Sequence, residues 1–353
     1  MKRFFIAALA LVAVVGCNKD DEGTSVLETS KKSMAITIAN ALPEGRTVTD
    51  AAPTQNAACT KAEDLVFGFC DGSGNVLTKL TLADATISGS VYTFHGLPQQ
   101  VSEVFAIANG AGANKITKDT HIATLQAAHA LWEAQTVDVE WDEIVVFGHD
   151  AAQHKVDSAT GEEVFCEVDG HKYPLYEAKF TVTPNHARLE VGQISCTDLG
   201  NHFKKLTLNK MAVAEVLEHS FGANGEVLTP DAKTLKAGEG KVWSWNLSKV
   251  TNAITRPDLD LYVTVEGNGW TVPAGTEVRR VTVVDYKAPP QYPNLATNVN
   301  DNGNLKYFLP GEIYTMNLDF KEENITTDMG YLCVTVNVTI ANWVIVPVTP
   351  VFK

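Results

Sequence analysis

The chain has 353 residues, with 28 basic and 42 acidic side chains and a formal net charge of −14. From Thr47 onward 22 basic residues face 37 acidic ones, a balance that argues against nucleic acid or an anionic lipid surface as a charge partner. The length suggests two domains, and 45% hydrophobic residues suffice for sizeable cores.

Met1 to Gly16 read as a secretion signal. Lys2 and Arg3 form a positive end, Phe4 to Val15 an apolar run too short to span a bilayer comfortably, and small Gly16 precedes Cys17. Val14-Val15-Gly16-Cys17 looks like a bacterial lipobox, which makes Cys17 the lipidation site. Asn18-Lys19-Asp20-Asp21-Glu22 resembles the tract that sends Bacteroidetes lipoproteins to the outer face of the outer membrane. A polar tether runs to Lys32. Met34, Ile36, Ile38 and Leu42 then carry a strand pattern that stops at Pro43-Glu44-Gly45-Arg46. Arg46 is the one basic residue of that loop, a candidate trypsin-like cut before Thr47.

Asp64–Cys70 and Val76–Leu82 read as a hairpin around Asp71-Gly72-Ser73-Gly74-Asn75, and Ser90–Gly96 and Val101–Gly110 as further strands. One helix follows, capped by Thr117 or Asp119, with Ile122, Leu125, Ala128 or His129, and Trp132 on one face. Asp138–His149 is extended. Asp169-Gly170 marks a type I′ hairpin between Glu163–Val168 and His171–Val182. Near Pro184 to Arg188 the chain changes domain. Leu189–Cys196, Lys205–Leu217, Lys241–Trp245, Asp260–Val265, Glu277–Tyr286, Leu305–Leu309 and Ile313–Phe320 read as the later strands. Many short strands with regular turns indicate an all-β chain of tandem β-sandwiches.

The tail alternates strictly. Leu332, Val334, Val336, Val338 and Ile340 share one parity; from Asn342 the pattern changes, with Trp343 and Ile345 on one side and Val344, Val346 and Val348 on the other. A period of two, broken by Asn337, Asn342, Pro347 and Pro350, argues against a membrane helix.

No catalytic signature stands in the chain, and no spacing of Cys or His matches a zinc site. No cofactor or metal is expected, and no enzyme activity. Asn298–Gly303 mimics the start of a calcium loop, but Leu309 stands where a bidentate Glu is needed, so it reads as a turn. With Cys17 assigned to lipid, five Cys remain. Cys59 with Cys70 or Cys166 with Cys196 are the conceivable bridges; buried small apolar side chains are the simpler reading. Asp157-Ser158-Ala159 resembles a Bacteroidetes O-glycosylation triplet, which makes Ser158 a candidate site.

What remains is strand chemistry. A sandwich that lacks one strand offers an apolar groove and open backbone groups, and another chain's strand fills both. Burying about five apolar side chains at roughly 1.5–3 kcal/mol each gives on the order of 8–15 kcal/mol before ordering costs. Met34–Leu42 and Leu332–Phe352 are the two segments suited to such an exchange; as ordinary strands of one monomer they would carry the same pattern.

These features in this order resemble the Bacteroidetes fimbrillins, the FimA-type family of type V pilins. The likeness covers nearly the whole chain: the lipobox at Cys17, the first strand ending at Arg46, Val104-Phe105-Ala106-Ile107-Ala108-Asn109-Gly110 before the helix, Ala187-Arg188-Leu189-Glu190-Val191, Pro310-Gly311-Glu312-Ile313-Tyr314-Thr315-Met316-Asn317-Leu318, and the tail with Trp343. The resemblance implies a signal at 1–16, a lipidated propeptide at 17–46, and two transthyretin-like β-sandwich domains at 47–186 and 187–353, the first carrying one short helix. It implies an outer-membrane lipoprotein anchored by acylated Cys17, cleavage between Arg46 and Thr47 by a surface trypsin-like protease, and loss of the strand of Met34, Ile36, Ile38 and Leu42. The donor strand of Val334, Val336, Val338, Ile340, Trp343 and Ile345 would then join identical or related subunits into an extracellular, adhesive fimbria. A fimbrial anchor, a tip adhesin or a non-polymerising glycan-binding lipoprotein, with Trp243, Trp245 and Trp270 as its aromatic platform, are the competing readings.

Overall fold

The computed structural model describes residues 26–39, 59–62, 65–108, 116–130, 145–213, 217–230, 234–237, 242–247, 257–269, 274–325, 331–337, 339–342 and 344–347. Cys17, Leu42, Arg46, Thr47, Trp270, Val338 and Trp343 lie outside these residues. Strands of four residues or more are numbered in chain order.

The first half builds two sheets. β1 (Lys31–Ile38) is followed by β2 (Cys59–Ala62), β3 (Val66–Cys70), β4 (Val76–Thr81), β5 (Val91–Pro98), β6 (Glu103–Ala108), α1 (Ile122–Ala130), β7 (Val146–Ala151), β8 (Phe165–Val168) and β9 (His171–Phe180). One sheet has the central order β9-β1-β5, with β8 and two-residue pieces at Val26–Leu27 and Gln153–His154 along β9. The other has the order β7-β6-β3-β4, extended by Thr183–Pro184. Period-two alternation explains the layering. Phe67 and Phe69 point between the sheets, while Val66 and Cys70 point outward beneath α1 with Phe105, Ile107 and Phe147. Gly68 shares that outward face, and a Cβ there would lie 2.0 Å from Cζ of Phe105. The ring of Phe105 therefore requires glycine at that position.

The β8–β9 hairpin turns at Asp169 and Gly170, with φ of 50° and 73°, the two left-handed residues that a type I′ turn demands. α1 starts at Ile122 and is capped neither by Thr117 nor by Asp119. His121 takes that place: Nδ1 accepts from the Ala123 amide at 3.1 Å, and Nε2 lies 2.7 Å from the Ser73 carbonyl. Trp132 lies outside the described residues.

The second half forms another sandwich. Its strands are β10 (Ala187–Asp198), β11 (Phe203–Val213), β12 (Leu217–Ser220), β13 (Trp243–Leu247), β14 (Leu259–Gly267), β15 (Thr276–Lys287), β16 (Glu312–Lys321), β17 (Tyr331–Asn337), β18 (Thr339–Asn342) and β19 (Val344–Pro347). The sheets run β13-β10-β16-β18 and β12-β11-β14-β15-β17. The chain is thus all-β, with tandem β-sandwiches and separate cores.

Two expected strands need correction. Lys205–Leu217 is not one strand: β11 ends at Val213, and Leu217 lies opposite Val213 on the return strand. Leu305–Leu309 is not a strand. The Asn298 side chain accepts from the Tyr307 amide at 2.9 Å and donates to its carbonyl at 3.0 Å, so a side-chain amide takes the place of a neighbouring strand. A second short helix, α2 (Leu295–Asn298), presents that amide. Of the two readings of the cysteines the simpler one holds: Cys70 and Cys196 are buried thiols and Cys166 is unbridged, and burial pushes Cys70 and Cys196 up, to about 12 and about 11.

The segments Ala187–Val191 and Pro310–Leu318 meet as parallel neighbours, with Arg188 beside Ile313 and Glu190 beside Thr315. Arg188 and Glu190 are buried on the face of β10 opposite its core residues. Arg188 Nε lies 2.6 Å from Glu190 Oε1, Nη1 2.9 Å from Asn246 Oδ1, and Nη2 2.7 Å from Ser244 Oγ. Thr315 donates to the other Glu190 oxygen at 3.1 Å. Burial pushes the Glu190 carboxyl up, against the pull of Arg188.

Candidate functional site

β1 lies inside its sheet and not at an edge. It pairs in parallel with β9, Met34 beside Tyr176, Ile36 beside Ala178 and Ile38 beside Phe180. On its other side it is antiparallel to β5, Met34 opposite Phe94 and Ile36 opposite Tyr92. The ladder continues past Ile38, where the Ala39 amide donates to the Phe180 carbonyl at 2.8 Å. Met34, Ile36 and Ile38 are each 0% exposed. They meet an aromatic floor in which Phe67 and Phe94 are 4.9 Å apart and Phe69 and Phe94 5.2 Å. Ala35 and Thr37 are half-buried on the other face.

The strand begins earlier than its apolar pattern. Lys32, expected as the end of a tether, is buried within it. The register shifts between Lys32 and Met34, where two residues of β5, His95 and Gly96, stand against Ser33 alone; Lys32 Nζ donates to the Val101 carbonyl and sits 3.8 Å from the Tyr176 ring centroid. Ser33 is fully buried, its Oγ 2.9 Å from His95 Nδ1. Gln99 borders this pocket, with Nε2 3.4 Å from Tyr176 Oη and a buried Oε1 that has no partner. Lys32 has the parity of Met34, Ile36 and Ile38, which was the available signal in the sequence.

Burial holds the Lys32 ammonium down to about 8, from 10.5. Between those values the folded chain binds fewer protons than the unfolded chain, so this group's contribution to stability rises with pH; below pH 8 the burial cost is present in full. Lys32→Met is therefore expected to stabilise the protein at pH 7, with the difference closing by pH 10.5. Urea titrations at both pH values measure it, and a difference independent of pH sinks the argument.

The tail follows three partners in turn. β17 adds to β15 in parallel, Val334 beside Val283 and Val336 beside Tyr286. β18 crosses to the other sheet and runs antiparallel to β16, Ile340 opposite Tyr314. β19 pairs in parallel with β2, Ile345 beside Thr60. Within one monomer both exchange candidates are therefore strands of the chain's own sheets.

Ser158 is exposed in a turn closed by Asp157, whose Oδ1 accepts from the Ala159 amide at 2.7 Å. Trp243 and Trp245 lie in the core and build no exposed platform, because both share the inward parity of β13. His149 lies 2.8 Å from Glu103 Oε1. Among the described residues no group of three or more His, Cys, Asp or Glu could hold a metal ion.

No family model and no curated protein sequence matches the chain. Solved structures do. A candidate cell adhesion protein from Parabacteroides distasonis aligns at TM-score 0.50 and 10% identity, over 89% of this chain and 100% of that one. A fimbrilin from Porphyromonas gingivalis aligns at TM-score 0.46 and 12% identity, over 90% and 99%. A candidate cell adhesion protein from Bacteroides eggerthii aligns at 0.44 and 12%, over 93% and 100%. The first of these is a likeness of fold over 89% of this chain and all of the other.

Proposed function

We propose that the chain is a structural subunit of a surface fimbria, exported as a lipoprotein on Cys17, cut between Arg46 and Thr47, and polymerised by strand exchange between copies. In this reading residues 47–186 and 187–353 are the two domains, and 17–46 carry the removable strand. The observation that supports it is the seat of β1: eight residues from near the N-terminus, held by ladders on both sides, with three side chains wholly inside the core. Taking such a strand out leaves a slot that only another strand satisfies, since each vacated backbone group needs a partner. The partners are then copies of this chain, outer-membrane lipid before the cut, and a surface protease.

The test is the N-terminus of protein sheared from intact cells, read by mass spectrometry. A start at Thr47 without lipid is expected. An acylated Cys17 as the sole N-terminus would overturn the stalk reading in favour of an anchor or another surface lipoprotein.

A further inference from the structure

The tail repeats the sequence of β1. Thr37-Ile38-Ala39-Asn40 recurs as Thr339-Ile340-Ala341-Asn342. Carried back along both strands, the same offset sets Ser33 against Thr335, Met34 against Val336, Ala35 against Asn337 and Ile36 against Val338. Seven of the eight positions from 33 to 40 are identical or of the same chemical kind, Ala35 against Asn337 being the exception.

We infer that the tail of a second copy enters the β1 slot in this register, residues 334–342 taking the places of 32–40. The inference rests on the strand-exchange reading above and adds the alignment. Three features of the slot select it. Its inner positions hold Met34, Ile36 and Ile38, and the offset supplies Val336, Val338 and Ile340. Its half-buried outer positions hold Ala35 and Thr37, and the offset supplies Asn337 and Thr339, both polar. The Ser33 hydroxyl, set against His95 Nδ1, is replaced by that of Thr335.

Neighbouring registers fail one of these conditions. A slip of one residue exchanges the two faces and sends Asn337 and Thr339 into the core. Advancing the tail by two sets Asn342 in the place of Ile38. Retreating by two keeps three valines inside but sets Cys333 against His95. At a second position, just before that run, the tail departs from β1: Val334 stands for Lys32. The incoming strand carries no ammonium into that pocket, so the desolvation cost that lowers Lys32 belongs to β1 alone, while the Val101 carbonyl gives up its side-chain donor.

β1 register sets the test. Ala35 lies opposite Thr93 on β5, so Asn337 of the second copy would lie there. Fibres are collected from cells that make the full chain with Thr93→Cys combined with cysteine at 335, 337 or 339. Ala35→Cys with Thr93→Cys in one chain is the positive control for disulfide geometry. The expected result is a ladder of covalent oligomers on a non-reducing denaturing gel for Asn337→Cys, absent for Thr335→Cys, Thr339→Cys and each single variant. A ladder only at 335 or 339 overturns the register and leaves strand exchange standing. Fibres with no inter-subunit cross-link at any of the three overturn the register, and a full chain that forms no fibres even without substitution overturns strand exchange as well.

Discussion

Replacing Arg188 with alanine is expected to cost about 3–5 kcal/mol of stability at pH 7, because it leaves the Glu190 carboxylate buried without its cation. Glu190 is 0% exposed and its partners are fixed by the β10–β16 and β10–β13 ladders. It cannot turn to water without breaking strands. Burial already pushes its carboxyl above the usual range, and removing Arg188 pushes it further. The folded variant then binds more protons than the unfolded chain between the ordinary carboxylate value and the raised one. Its stability must therefore rise as pH falls through the raised value. The tryptophans report the transition, since Trp245 and Trp243 are registered against Leu189 and Val191 on the same strand. Arg188→Met combined with Glu190→Leu should cost far less, because an apolar pair leaves no charge to desolvate. Equal losses for the single and double variants would show that packing, not charge, holds the site.

How much of this was readable in the residues differs by element. The alternation at Met34, Ile36 and Ile38 marks that strand and its inward face, and Asp169-Gly170 marks the separate turn between β8 and β9, because each is a local rule that tertiary contacts do not override. The burial of Lys32 and Ser33 is not legible locally, because a charge in a polar stretch has the pattern of a surface until a carbonyl and an aromatic ring meet it. Arg188 and Glu190 stand in a segment that carries the family resemblance, but nothing local says that two charges on the outer parity of a strand are buried. Between Val213 and Leu217, which lie opposite each other, the sequence has Ala214, Glu215 and Val216, with none of Gly, Pro, Asn or Asp to announce a change of direction. The tail read as strand throughout; its division among three partners is long-range, and parity cannot show which edge a strand covers. The candidate slot was therefore legible as a strand and not as an interior position between two others.

A nick after Arg46 is expected to leave β1 in its slot. Three wholly buried side chains, Met34, Ile36 and Ile38, at roughly 1.5–3 kcal/mol each hold it by about 5–9 kcal/mol, and ladders on both flanks add to that before ordering costs are subtracted. Cutting the chain removes none of these contacts. Purified precursor nicked with a trypsin-like protease should thus co-elute with its N-terminal fragment in size exclusion, separate from it in denaturant, and remain monomeric. A fragment that leaves at once in native buffer would show that β1 is held far more weakly than its burial implies. If it stays, cleavage is permission and not release, and β1 must be displaced by a strand that competes for the same ladders. A tail that repeats the sequence of β1 but omits its buried ammonium is suited to that competition. Under the proposed cut and exchange the rate of fibre growth is then set by strand displacement, and it should respond to substitutions at Lys32, Met34 and Ile36 even though the cut subunit would lack all three.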